Sequence, residues 1–176
     1  MTSTPRRYRP CVVLTGPSGS GKSTTGRVLA ARLGMTCRDT DADVEANAGM
    51  TISDIFIEHG EECFRDLERR AVKAALAEHD GVLALGGGAV VDANTRAVLR
   101  EHRVAFLDVG VAVAARRIGL NRARPMLFGT VRAQWLKLMA DRRLLYEDVA
   151  AVTVNTDDRT VDEVADSIIQ ALGLTS

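Results

Sequence analysis

The residues Gly16-Pro-Ser-Gly-Ser-Gly21-Lys22-Ser23 follow a short apolar run and precede a helical pattern. Their Gly-x-x-x-x-Gly-Lys-Ser spacing is that of a phosphate-binding loop. Glycines let the backbone curl until several N–H groups face one anion, and the start of the next helix adds its positive dipole end. In such a loop Lys22 reaches the β- and γ-phosphates of a nucleoside triphosphate, and the Ser23 hydroxyl ligates Mg²⁺. Gly19, Ser20, Gly21 and Thr24 complete the nucleotide cradle. The plain alternative is a glycine-rich turn, but a turn does not demand a strand before it and a lysine at the helix start. The loop by itself leaves a GTPase, an ATPase motor and a kinase all open.

Three further groups carry chemistry. Asp39-Thr40-Asp41 ends a second strand. That end faces the same crevice as the phosphate loop in an open α/β sheet. Two carboxylates there can divide labour, one at metal-bound water and one accepting a hydroxyl proton; a helix N-cap is the competing role. Gly86-Gly87-Gly88 directly follows a third strand. One glycine ends a strand, whereas three in a row suit close approach of a ligand to backbone N–H groups. The arginines Arg65, Arg117, Arg124 and Arg142 are the third group. Taken singly each is a solvated charge. Arg124, however, precedes Pro125 within a loop at 119–130, where a lid arginine closes over charge in transfer. Arg65 has Glu68 at i+3, a spacing that orients the guanidinium.

The elements that must position these groups are legible as alternating strands and helices. Strands are expected at 11–15, 36–39, 82–85, 104–109 and 151–154, with helices at 22–33, 61–78, 92–99, 111–118, 133–146 and 160–172. Strands alternating with helices imply an α/β fold with a parallel sheet covered on both faces. The chain has 176 residues, 46% of them hydrophobic, and a chain of that length buries roughly 70% of its unfolded surface. A single domain at 10–176 behind a loose tail at 1–9 is expected. Lysine plus arginine equals aspartate plus glutamate at 23 each, and aromatics are 4%. Neither a basic face nor a base-stacking surface for nucleic acid is expected. Cys11, Cys37 and Cys63 are widely spaced and odd in number, which fits a reducing cytoplasm rather than a disulfide or metal framework. No apolar run is long enough to span a membrane.

The full series of motifs resembles shikimate kinase from about Val12 to Leu172. The carriers are the phosphate loop, Asp39-Thr-Asp41, Gly49…Ile52-x-Asp54-Ile-Phe56, Gly60-Glu-x-x-Phe64-Arg65-x-x-Glu68, Gly86–Gly88, Arg124-Pro125, and Arg142 before Leu145-Tyr146. The resemblance implies a three-layer α/β/α P-loop kinase fold with a central five-stranded parallel sheet, a mobile lid at about 119–130 and a substrate-binding region at about 39–68. It implies ATP as co-substrate, Mg²⁺ as cofactor and shikimate as acceptor. Arg65, Arg142 and the N–H groups of Gly86, Gly87 and Gly88 would hold the shikimate carboxylate. Asp41 would bind the ring hydroxyls and act on the 3-hydroxyl as base or orienter. Asp39 would hold Mg²⁺ through water beside Ser23, and Lys22 and Arg124 would stabilise the phosphoryl group in transit. Arg117 would stack on adenine, with Arg159 lining its pocket.

The chain departs from that pattern at Leu144 and Val161, where prolines are usual, and in Asn121-Arg122-Ala123, which adds a lid charge. Arg142 and Arg143 are adjacent, and the spacing to Leu145-Tyr146 favours Arg142 as the substrate ligand. Competing readings are another small-molecule kinase such as a gluconate kinase, which Arg65 and Gly86–Gly88 disfavour, or a nucleotide-binding regulatory paralogue. A guanine-reading Asn-Lys-x-Asp segment does not occur. Balanced charge points to a monomer.

Overall fold

In β1 (Val12–Thr15) every residue is buried, and successive side chains enter different cores. Val12 and Leu14 face one layer, with Leu29, Val164 and Ile168, while Val13 faces the other, with Val72, Leu83 and Phe106. This two-residue alternation of a fully covered strand is what a parallel sheet between two helical layers requires. The computed structural model describes residues 9–118 and 125–175. Its sheet is parallel, in the order β2-β3-β1-β4-β5, with β2 at Cys37–Asp39, β3 at Val82–Ala84, β4 at Val104–Asp108 and β5 at Val152–Asn155. The three-layer α/β/α architecture with five parallel strands is therefore as expected.

On one face lie α1 (Lys22–Arg32) and the final helix α7 (Val161–Leu172). The latter starts in a capping box: Thr160 accepts from the Glu163 N–H while the Glu163 carboxylate accepts from the Thr160 N–H. On the other face lie α3 (Ile52–Glu78), α4 (Ala93–Leu99) and α6 (Pro125–Val149), around Val72, Leu99, Phe106, Met139 and Tyr146. The Asp92 carboxylate caps α4 by accepting from the Thr95 N–H. Helix α5 (Val111–Arg117) follows β4. No helix among the described residues is long and apolar enough to cross a membrane.

Two differences from the sequence expectation bear on the site. Most of residues 40–60 are helical: α2 (Thr40–Ala48) precedes α3, whose first turns run from Ile52 up to Gly60. Gly60 has φ 81° and ψ 173°, so it bends α3, and the helix expected from 61 is only the part beyond that bend. Such a backbone is glycine territory. Helices α2 and α3 close over a small core of Val44, Ile55, Phe64 and Ala71, separate from the two that cover the sheet. The second difference is a correction: α6 begins at Pro125, so the expected loop at 119–130 is helical from 125 onward. Proline favours a first helical position, because its missing N–H costs nothing there and its φ is already set. The lid arginine Arg124 lies outside the described residues.

Candidate active site

All the chemistry-bearing segments leave the sheet at the carboxyl ends of its strands. Leu14, Ala84 and Asp39 stand level across β1, β3 and β2, so the phosphate loop, the glycine triplet and the Asp39–Asp41 segment open side by side. This is the crevice where open α/β sheets bind ligands.

The loop's geometry depends on its glycines. Gly16, Gly19 and Gly21 have φ of 145°, 83° and 87°, and a Cβ on Gly16 would lie 2.5 Å from the Leu107 carbonyl oxygen. Gly21 is the N-cap of α1 and brings no side chain to the first helical N–H groups. They remain a positive end facing the crevice. Lys22 Nζ donates to the Gly16 and Pro17 carbonyls at 2.8 and 3.0 Å. Burial of that ammonium lowers its pKa to about 8, against the opposing pull of Asp41 and Asp39. The Ser20 hydroxyl is buried with no partner among the described residues. Ser20 therefore offers a ligand its backbone rather than its side chain.

Asp39 takes the N-cap role without spending both of its oxygens on it. One carboxylate oxygen caps α2 by accepting from the Asp41 N–H at 2.9 Å, and the other accepts from the Ser23 hydroxyl at 2.5 Å. Two hard oxygen ligands thus converge beside the uncapped helix start, a donor set suited to Mg²⁺. Asp41 lies deeper. Burial, followed by the neighbouring Asp39 charge, raises its pKa to about 6, while Lys22 pulls the other way.

The glycine triplet works differently from expectation. None of its members has positive φ, and the Gly86 N–H donates to the Thr40 hydroxyl at 3.0 Å. Gly86 is thereby corrected from a ligand donor to a spacer. A Cβ there would collide with Asp41 Oδ1 and stand 2.9 Å from Glu68 Oε1, and one on Gly88 would overlap the Arg65 guanidinium. The missing side chains make room for the protein's own charged groups. The N–H groups of Gly87 and Gly88 donate to nothing else among the described residues.

Arg65 donates to Glu68 at 2.6 Å and reaches Glu61 at 3.5 Å. Glu68 is only 4% exposed, so this is a buried anchor rather than the surface pair its i+3 spacing could equally have meant. The guanidinium also stands 5.2 Å from the Phe64 ring. Arg142 donates to the Gly87 carbonyl at 3.4 Å, and the Tyr146 hydroxyl donates to the same oxygen at 2.6 Å. Arg143 turns to Asp108, with one Nη 2.8 and 2.9 Å from the two carboxylate oxygens. Of the adjacent pair, Arg142 is the one at the triplet, and the neighbouring Leu144 points into solvent at 72% exposure.

A cavity of about 590 Å³ contains Gly19 to Thr24, Asp39, Asp41, Arg117 and Arg159, with Val161 and Val164 at its far end. A second, of about 520 Å³, is lined by Arg65, Glu68 and Gly88. Asp41 belongs to the first and Glu68 to the second, and both carboxylates abut Gly86. Arg117 donates to the Gly19 carbonyl at 3.1 Å and to the Thr156 hydroxyl and carbonyl at 2.9 and 2.7 Å. Arg159 is held by the Asn155 and Glu163 carbonyls and Ser167. Reasoning from sequence missed Asp108 and Thr156 as parts of this arrangement, and it named Thr40 and Tyr146 only as members of motifs, without their contacts to Gly86 and Gly87.

The family model described as shikimate kinase matches residues 18–173. A shikimate kinase of Streptomyces avermitilis is 55% identical over 165 residues, covering 94% of this chain and 96% of that protein. One from Streptomyces coelicolor is 53% identical over the same shares of both chains. Among solved structures, the shikimate kinase of Acinetobacter baumannii in complex with shikimate superposes with a TM-score of 0.84 at 33% identity, covering 93% of each chain.

Proposed function

The chain belongs to the shikimate kinase family, an ATP-dependent phosphotransferase family, and on that premise we propose that it transfers the γ-phosphoryl group of ATP to the 3-hydroxyl of shikimate. The products are shikimate 3-phosphate and ADP. The observation that carries this reading is the junction at Gly86, where the Asp41 carboxylate beside the phosphate loop and the Glu68 carboxylate that anchors Arg65 abut the same glycine.

Arg65 and Arg142 bind the acceptor's carboxylate, since the guanidinium fork matches it in bidentate fashion. The Gly87 and Gly88 N–H groups assist. Asp41 faces the acceptor hydroxyl and takes its proton as the new O–P bond forms and the bond to the β,γ-bridging oxygen breaks, with ADP leaving on that electron pair. Burial that lifts Asp41 to about 6 brings this base nearer to neutral pH, where general bases are most effective. Lys22 leaves the loop carbonyls for the phosphate oxygens, and triphosphate binding restores the charge that burial disfavours. Arg124 closes over the transferring group from the lid. Arg117 and Arg159 border the base. Ser23 and, through water, Asp39 would hold Mg²⁺, which would supply neutralisation of charge on the phosphate oxygens.

Half-buried, unpaired Cys11, Cys37 and Cys63 support placing this reaction in a reducing cytoplasm, and the balanced charge of the chain favours a monomer. The decisive experiment is ADP release measured with shikimate, gluconate and AMP in parallel. Stimulation by shikimate alone is expected, and its absence would overturn the assignment.

A further inference from the structure

One chain of polar contacts runs from the acceptor helix to the phosphate loop. Arg143, adjacent in sequence to the acceptor ligand Arg142, is bound through one Nη to both oxygens of Asp108. Asp108 ends β4, and its side chain is largely buried. One of its carboxylate oxygens also accepts the Val109 N–H at 3.0 Å, which fixes the orientation of the group. Its backbone carbonyl accepts twice from Thr156, from the N–H at 2.9 Å and from the hydroxyl at 3.0 Å. Thr156, only 2% exposed, is gripped through its hydroxyl and carbonyl by Arg117, which also holds the Gly19 carbonyl of the phosphate loop. Side chain and main chain of a single residue, Asp108, thus tie α6 to the nucleotide loop.

We propose that Asp108 and Arg143 are positioning residues that couple the acceptor and nucleotide half-sites, so that occupation of one raises affinity for the other. The inference rests on the shikimate kinase reading of the two cavities. Its physical content is simple. The pair sets the rotation of α6 about its axis, hence where Arg142 and Tyr146 meet Gly87, and it does so from the same residue that sets Thr156 and Arg117. A ligand that orders either end therefore lowers the ordering cost met by a ligand at the other, and the effect is reciprocal. The two side chains are turned to each other rather than to the phosphate loop or the glycine triplet, so neither is expected to touch a substrate.

The test is the shikimate dissociation constant by calorimetry, with and without saturating MgADP, for the full-length protein and for Arg143→Ala, Asp108→Asn, the double variant and Arg143→Lys. The wild type is expected to bind shikimate more tightly with MgADP. Each single variant should lose about 3–5-fold of that ratio, the scale one partly exposed ion pair supports. The double variant should lose no more than a single one, and lysine should retain most of the ratio. A merely structural pair would lower the thermal midpoint without changing the ratio. An unchanged ratio in both single variants, a double variant that loses the product of the two, or a wild type without coupling would each overturn the proposal. If shikimate fails to bind the wild type at all, it is the functional reading that falls instead.

Discussion

Asp41→Asn is expected to stabilise the ligand-free protein while removing its activity. The carboxyl is raised from 3.8 to about 6, first by burial and then by the Asp39 charge, net of the attraction to Lys22. Between those two values the folded chain keeps a proton that the unfolded chain has lost, so stability falls as pH rises through that window and the penalty is complete above pH 6. A shift of about two units is worth at most ~3 kcal/mol. Water reaches the half-buried carboxylate, and discounting for that leaves roughly 1–2 kcal/mol. Asparagine has the same shape and no charge to bury. In urea, with a slope of about 2 kcal/mol per molar for a chain of this size, its unfolding midpoint at pH 7.5 should rise by roughly 0.5–1 M. At pH 4 the acid is protonated in the folded chain and roughly 40% protonated in the unfolded one, and most of the gain should vanish. Equilibrium unfolding at both pH values, without nucleotide or Mg²⁺, measures this directly. A lower midpoint at pH 7.5, or an equal shift at both pH values, would refute the idea that charge burial is what Asp41 costs the fold. Steady-state kinetics should show turnover down by about 10²-fold or more, as for loss of a general base, with ATP binding retained.

The same carboxyl predicts an acidic limb: kcat/KM for shikimate should decline as pH drops below about 6, and Asp41→Asn should lack that limb. Arg142→Ala should raise the shikimate KM by about tenfold or more, the worth of one charge-assisted hydrogen bond, and leave the ATP KM unchanged; initial-rate kinetics in each substrate distinguish the two. Gly88→Ala places a methyl where the Arg65 guanidinium lies, so shikimate affinity should collapse while a fluorescent ATP analogue still binds. Arg65→Ala leaves the buried Glu68 carboxylate unpaired, and thermal unfolding should show a loss of about 3 kcal/mol in addition to the lost affinity. Arg124→Ala should lower kcat far more than it weakens shikimate binding, as expected for a group acting in the transition state.

The sheet and the donor half were legible because their signals are local. Val12-Val-Leu-Thr15 shows fully buried strand character, and the Gly16–Ser23 spacing states its own chemistry. The helix Thr40–Ala48 was not legible, because of its residues only Thr40 and Val44 are buried and no apolar stripe marks it. Asp39 could be read as metal ligand or N-cap, and the two do not compete for the same atom, since one oxygen caps α2 and the other is turned to Ser23. Gly86–Gly88 pointed correctly to a crowded spot. Which groups do the crowding, Asp41 and Arg65, depends on contacts between residues tens of positions apart. Asp108 and Thr156 carry no motif at all; their place follows from β4 and β5 lying side by side, which only the three-dimensional arrangement supplies.

The bend at Gly60 and the small core of Val44, Ile55, Phe64 and Ala71 bear on how such an enzyme acquires new acceptors. The stretch between Asp39 and Gly60 leaves the sheet at one strand end and runs to a glycine joint, bringing Val44 and Ile55 to a core completed by Phe64 and Ala71 beyond that joint. Its core therefore travels with it only when α3 is carried on through Ala71, which takes Arg65 and Glu68 along, while the sheet, the phosphate loop and the base-binding end stay untouched. Acceptor recognition is in this sense shared between the excursion and the sheet, since Arg142, Gly87 and Gly88 stay behind, and a chimera joined at Asp39 and beyond Ala71 is the smallest exchange that keeps this core whole.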